Sequence, residues 1–433
     1  MKKISCVILG YGDRSSRYAD YAKTKPDELE VIGVIDVSEL KLQQCKEKFQ
    51  LEDRQIFHSL EEFLQAEIKC DVVINGTMDQ LHYVTTMALL EKGYNILLEK
   101  PVTANEDELL EIEAKAKEKG CKVVVCHVLR YTPFYSTIKS IIDSGKLGKI
   151  TSIQLNEHVW HGHFVISYVR GKWRNEKECG SGLLLAKCCH DTDLMCWLNN
   201  TTKPVSVSSF GSKSFFVEKN APEGSTQFCY ECPHRNDCMY EAEKFHIERN
   251  IFPFYTWAGI NKPLKEITVE EKREFLKKDM YGQCVWKTDM DLVDRQCVSV
   301  EFENGSIATL NMIGASSRGT RHTHIVCEYG EIAGCVDDNK ILVRVFDKEQ
   351  FRPVDEYIDL NEVNVLSDED NAMSGHYGGD YYIMKDLVRF LNGEQTSVAT
   401  TVIEDSVNSH LICYAAEKAR KEKVVVELQR ENR

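Results

Sequence analysis

No stretch of the 433-residue chain carries the run of roughly 20 apolar residues that a membrane-spanning helix needs. Proline is scarce, with 9 residues, and glycine is modest at 25, which excludes collagen-like and Pro-rich disordered architectures. Positive charge is in deficit. The 54 Lys and Arg stand against 68 Asp and Glu, a formal charge of −14. That argues against non-specific nucleic-acid binding, which needs clustered Lys and Arg, but leaves room for a local basic pocket around a small anion. The opening MKKISCVILG lacks a secretory apolar core and turns at once into a strand pattern. Seventeen cysteines, an odd number, are scattered from Cys6 to Cys413. The expectation is a cytoplasmic protein with mostly buried thiols and few or no disulfides. Repeats and low-complexity tracts are also missing. What is present is 42% apolar residues, enough for two or three domains with their own cores.

The first third alternates in period. Short β-rich runs at 4–9, 31–35, 71–75, 94–98 and 121–126 are separated by amphipathic stretches at 13–24, 38–48, 78–92 and 103–119. Such alternation predicts βαβ units, a doubly wound parallel sheet, and a ligand at the carboxyl ends of its strands. Beyond residue 127 the pattern changes. Helices are predicted over 132–148, 182–198, 378–392 and 403–420. Strands are predicted over 150–160, 204–212, 296–303, 306–313, 322–328, 332–336 and 340–346. Asn304-Gly305 is a strong hairpin signal. The expected fold is therefore α/β: a Rossmann-type domain over 1–127, then an α+β domain over 128–433 with a large, mostly antiparallel open sheet. Residues 214–285, polar and aromatic, read as an insertion into the second domain.

Chemistry concentrates at three places. Gly10-Tyr11-Gly12-Asp13-Arg14-Ser15 lies between a strand and a helix. Its glycines allow a sharp turn and close backbone approach to a pyrophosphate, with Ser15 where a third glycine usually stands. Asp36 ends the second strand, where a carboxylate can bind the adenosine ribose and repel a 2′-phosphate, so NAD is favoured over NADP. Glu99-Lys100-Pro101 follows the strand YNILL, placing Lys100 near a cofactor's reactive ring. In GSGLLLAKCCHDTDLMCWL, Lys187, His190 and Asp193 fall three apart on one helix stripe, costly to bury without a purpose.

GYGDRSS, Asp36, LLEKP, GSGLLLAKCCHDTD and HYGGD (376–380), in this order, resemble the glucose–fructose oxidoreductase / inositol dehydrogenase (Gfo/Idh/MocA) family over nearly the whole chain. The resemblance implies hydride transfer between NAD(P) and a sugar, sugar derivative or cyclitol carbinol. Lys100 matches the EKP lysine, His190 the catalytic histidine and Asp193 a substrate-binding aspartate. Where many members carry an Asp four residues before the histidine, this chain has Ala186, with Lys187 beside it. A second reaction class stays open: relatives with a GxGxRG-like loop work as redox-neutral glycosidases by transient oxidation and elimination, and Arg14 leans that way.

The segment 156–175 reads as the substrate pocket wall, with His163, Arg170 and Trp173 as contacts. Arg130, Tyr131 and His376 are further candidates, and Asp289 and Asp291 read as a polar strand edge. In the insertion, Cys229-x-x-Cys232, Cys238 and Cys284 present four thiols, either as a structural zinc site or as free or redox-paired thiols. An open sheet needs cover, so a homodimer or homotetramer is expected, with no nucleic-acid or membrane partner.

Overall fold

The computed structural model describes residues 1–363 and 375–428. Six strands, β1 (Ile4–Leu9), β2 (Leu29–Ile35), β3 (Ile56–Phe57), β4 (Val72–Asn75), β5 (Ile96–Leu98) and β6 (Val123–Val125), form a wholly parallel sheet in the order β3-β2-β1-β4-β5-β6. Because successive side chains of a strand point to opposite faces, β1 feeds two cores. Cys6 and Ile8 pack into one, Val7 and Leu9 into the other. Burial on both faces is why these strands read as unbroken apolar runs.

The remaining strands are β7 (Ile150–Trp160), β8 (Pro204–Ser212), β9 (Arg295–Phe302), β10 (Ile307–Ser316), β11 (Thr320–Cys327), β12 (Gly330–Cys335), β13 (Lys340–Asp347), β14 (Arg352–Asp359) and β15 (Val426–Glu427). They form a second sheet in the order β14-β13-β12-β11-β7-β10-β9-β8-β15, antiparallel except for the β7–β10 pair. In β9, Gln296, Val298, Val300 and Phe302 are buried while Arg295, Cys297, Ser299 and Glu301 face outward, so one face is covered and the other open. The Asn304-Gly305 turn closes the β9–β10 hairpin, with Gly305 at φ +81°. Five helices matter below: α1 (Asp13–Ala19), α2 (Pro133–Asp143), α3 (Leu183–Leu198), α4 (Gly379–Leu391) and α5 (Ile403–Glu422). Every residue of α3 except Lys187 is buried, as its all-round apolar sequence requires.

Three strands were not anticipated. β3 and β15 are two residues long, and β14 is a largely exposed edge strand with Pro353 and no apolar alternation. The stretch between β8 and β9 forms short helical turns joined by one bridge, Phe228 to Gln283, among its described residues. All seventeen cysteines are free thiols. Among the described residues no helix is long and apolar enough to cross a membrane.

Candidate active site

At the carboxyl edge of the parallel sheet, the turn after β1 is shaped for a ligand's backbone. Gly10 sits at φ +81°, and a Cβ there would lie 2.9 Å from the Gly76 carbonyl oxygen. A Cβ on Gly12, by contrast, would meet nothing within 4 Å, leaving open space at the head of α1. Ser15 is buried, its Oγ filling the volume that a Gly76 side chain would need. Asp36 closes the cradle: its carboxylate accepts from the Tyr11 N–H at 2.8 Å and the Ser38 N–H at 2.9 Å. Two cations, neither foreseen from the sequence, attend it. Lys41 Nζ is 3.7 Å from Asp36, and the Lys172 ammonium interacts with both. They soften the carboxylate's repulsion of a 2′-phosphate. The open Gly12 cradle and the Asp36 carboxylate fit a dinucleotide with its pyrophosphate over the turn and its ribose at β2.

Asp13, Arg14 and Glu99, expected at the cofactor, bind protein groups. Asp13 pairs with Arg17 at 3.1 Å. Arg14 donates to Asp380 at the start of α4 at 2.5 Å and to the Tyr18 hydroxyl at 2.7 Å, and lies 3.3 Å from Glu99. Glu99 is buried and accepts from Tyr18 Oη at 2.6 Å and from the Lys100 N–H at 3.0 Å. This network ties the glycine turn and β5 to α4. His376 completes it, its Nδ1 being 3.1 Å from Arg14 Nη1.

Lys100 leaves β5 and donates from Nζ to the Ala186 carbonyl of α3 at 3.0 Å. The main chain at 186 thus receives the lysine. His190, one turn further along α3, is 7% exposed, and its Nδ1 is buried without a partner among the described residues. The accessible edge of the ring therefore carries Nε2. Burial, then the Lys100 ammonium and the neighbouring His127, hold this imidazole well below its usual pKa. It is neutral at physiological pH and able to accept a proton.

Around this pair lie groups that were not singled out. Glu157 occupies an inward position of β7 and takes Lys187 Nζ at 3.2 Å and Arg321 Nε at 2.8 Å. Arg321, its cross-strand partner on β11, also pairs with Asp191 at 2.9 Å. Two cations and two carboxylates thus neutralise one another behind α3, and Lys187 enters the cleft as a neutralised group. An acidic residue at an inward strand position is the signal that marked Glu157. His127, at the carboxyl end of β6, is fully buried beside His190.

The structure brings some predicted contacts to this cleft and not others. His163 faces it, its basicity lowered by burial and then by Lys187 and Lys100. Trp173 Nε1 donates to Asp79, after β4, at 3.2 Å, which places the indole beside the cofactor cradle. Arg130 and Asp193 do not reach out to a substrate. They form a bidentate pair at 2.7 and 2.5 Å with both residues 1% exposed. Arg170 is not a pocket contact either: wholly buried, it donates to the Gln283 and Tyr240 carbonyls and to Cys229 Sγ at 3.3 Å. Tyr131 is buried with its hydroxyl 3.5 Å from Thr401 Oγ1, against the segment that precedes α5. Asp289 pairs with Arg174 at 2.6 Å, and Asp291 accepts from the Glu176 N–H at 2.8 Å.

Cys229, Cys232, Cys238 and Cys284 do gather around one small cavity, together with Arg170. Yet no group of three or more His, Cys, Asp or Glu among the described residues is arranged to hold a metal ion. The expected zinc site is corrected accordingly: the cation at this cluster is the Arg170 guanidinium.

The comparisons agree with this geometry. Residues 4–127 match the description "Oxidoreductase family, NAD-binding Rossmann fold", and residues 135–231 match "GFO/IDH/MocA C-terminal domain". YteT of Bacillus subtilis (strain 168), named as an oxidoreductase, is 25% identical over 83% of this chain and 82% of its own length. The scyllo-inositol 2-dehydrogenase (NADP(+)) IolW of the same organism is 28% identical over 47% of this chain and 54% of its own. Levoglucosan dehydrogenase, solved with NADH and levoglucosan, shares the fold at a TM-score of 0.70 and 15% identity over 99% of this chain and 100% of its own. The WlbA dehydrogenase of Bordetella pertussis, solved with NADH and UDP-GlcNAcA, does so at 0.66 and 15%, over 99% of each chain. The chain is an NAD-binding oxidoreductase and belongs to the Gfo/Idh/MocA family.

Proposed function

We propose that the protein oxidises a carbinol of a sugar, sugar derivative or cyclitol, or reduces the corresponding carbonyl, with NAD as the preferred cofactor. The observation that carries this reading is the Lys100 Nζ contact to the Ala186 carbonyl, which brings the lysine to the helix edge that also presents His190. When bound, NAD supplies a hydride acceptor at its nicotinamide ring. The chain's own groups do the rest. Neutral His190 takes the hydroxyl proton at Nε2. The Lys100 ammonium orients the hydroxyl oxygen and favours its developing negative charge. The insertion lies over the cleft: Phe252 packs edge-on to His163 at 5.6 Å, and Tyr255 packs against Trp173 at 6.0 Å. This arrangement limits water at the reacting carbon and offers aromatic faces to a polyol ring.

His163, Lys187, Trp173 and His376 are the substrate-side residues in this reading. Arg130 and Asp193 act behind them. The sugar ligands of the neighbouring structures support the carbohydrate class. Residues 1–127 are read as the cofactor domain and 128–433 as the substrate domain. The outward face of the second sheet, with Phe210 72% and Tyr357 75% exposed, is read as the contact of a homodimer or homotetramer in a reducing, cytoplasmic setting. Arg14, which favoured the elimination reading, is occupied by Asp380, Tyr18 and Glu99, so that reading is not carried forward. The test is a panel of sugars, sugar acids and cyclitols with NAD or NADP. NADH formation with one of them supports the proposal. Glycoside cleavage without net NADH, or no redox turnover across the panel, contradicts it.

A further inference from the structure

The carboxyl end of β6 delivers an imidazole that the reaction above does not use. His127 has no exposed surface, and neither ring nitrogen has a partner among the described residues. Leaving both nitrogens of a buried imidazole unpaired is costly, so a role close by is expected. His190 presents the complementary defect: its buried Nδ1 is also unpartnered. The two rings lie edge to face, 5.7 Å between centroids at 80°. On the far side, His127 Nε2 is 3.8 Å from Asp193 Oδ1.

The remaining neighbours are eliminated by their chemistry. Lys100 and Arg130 are donors only. His410, with its ring 5.7 Å from that of His127, has both nitrogens engaged: Nε2 accepts from the Val102 N–H at 3.0 Å, and Nδ1 bonds the Ser406 carbonyl at 2.9 Å. The acceptor left to His127 is the Asp193 carboxylate, held ready by Arg130. For the second nitrogen, Arg130 directs Nε and Nη2 to Asp193 and Lys100 directs Nζ to the Ala186 carbonyl, whereas the buried Nδ1 of His190 has no partner among the described residues.

We propose that His127 is a positioning residue for His190, a reading that rests on His190 being the proton acceptor. His127 donates its Nε2–H to Asp193 and accepts the Nδ1–H of His190. This chain, carboxylate to imidazole to imidazole, fixes the tautomer of His190 so that Nε2 meets the cleft with its lone pair free. It is the orienting logic of a carboxylate–histidine pair extended by one ring. The 3.8 Å contact to Asp193 is longer than a formed hydrogen bond, and no hydrogen bond joins the two rings, as is common before a ligand closes a site.

The decisive measurement is histidine ¹⁵N NMR of the full chain loaded with NAD, which needs no substrate. The expected result is His190 as the Nδ1–H tautomer in the wild type and mixed tautomers in His127→Leu. In turnover, His127→Leu is expected to lower kcat about 10- to 100-fold with KM unchanged. His127→Gln, whose amide can both donate and accept, is expected to restore most of it. A wild-type His190 protonated on Nε2 overturns the proposal even if the Leu variant does not fold. Leu and Gln variants with equal kcat, or a loss confined to KM or thermal stability, also overturn it. Full turnover in His190→Ala would instead overturn the catalytic reading beneath it.

Discussion

Replacing Arg130 with Met tests whether Asp193 is an internal anchor or a substrate ligand. Arg130 and Asp193 have side chains 2% and 1% exposed and share two short hydrogen bonds. Removing the guanidinium leaves a buried carboxylate on α3 with no formed side-chain hydrogen bond among the described residues, His127 Nε2 lying 3.8 Å away and the His410 ring nearby. Breaking a buried pair from one side costs about 3–5 kcal/mol. At roughly 2.1 cal/mol/K per residue of unfolding entropy, that lowers Tm by about 4 °C for cooperative unfolding of a chain this long. The sign with pH is also set. Burial already holds the Asp193 carboxyl above its ordinary pKa against the pull of Arg130, and loss of Arg130 raises it further. The folded variant then binds a proton that the unfolded chain releases, so its stability falls as pH rises above about 4. Urea denaturation at about pH 5 and pH 8 measures this directly. Arg130→Met/Asp193→Leu removes the orphaned charge and is expected to recover most of the loss. A single variant costing less than about 1 kcal/mol, or a double variant no more stable than the single, would refute the reasoning.

Gly12→Ala adds a Cβ where the protein has open space, so stability is expected to hold within about 0.5 kcal/mol while NAD affinity falls at least about tenfold; equal NAD affinity would place the cofactor elsewhere. Asp36→Ala is expected to weaken NAD more than NADP, because Lys41 and Lys172 remain to meet a 2′-phosphate, although loss of the Tyr11 and Ser38 contacts weakens both in dye-displacement titrations. Acid is expected to unfold the protein early. His410 is buried and pushed down to about 4 by its burial, so the unfolded chain takes up its proton first, and about 3 kcal/mol of stability is lost as pH falls from about 6.5 to 4; stability that stays flat over that window contradicts the burial of this ring. Glu157→Gln leaves Lys187 and Arg321 with one carboxylate between them, and a fall in Tm with tighter binding of anionic sugars is expected; an unchanged Tm would contradict the buried network.

The helix and strand periods were legible because burial follows them. The runs at 4–9, 150–160 and 204–212 coincide with β1, β7 and β8, and the Asn304-Gly305 turn lies where the hairpin signal put it. β14 was not legible, since an edge strand exposed on both faces has no apolar alternation to read. At the site, Lys100 and His190 could be named because their motifs are local. Asp193 and Arg130 could be named but not paired: whether a carboxylate meets a substrate or an arginine 63 positions away depends on how α3 docks against the turn after β6. Arg170 looked like a pocket cation. The buried run Val165–Val169 before it was the available sign that the chain had turned inward. His127 carried a sign as well, being the first polar residue after VVVC at the sheet's carboxyl edge.

The central claim is that Lys100 and His190 act together at one nicotinamide ring. The most direct measurement sets NADH binding, by fluorescence titration, beside single-turnover hydride transfer in Lys100→Ala and His190→Ala. The account predicts NADH affinity within about threefold of wild type and hydride transfer lowered by at least about 10²-fold in both variants. Hydride transfer at the wild-type rate in either variant, with the cofactor bound, would contradict it.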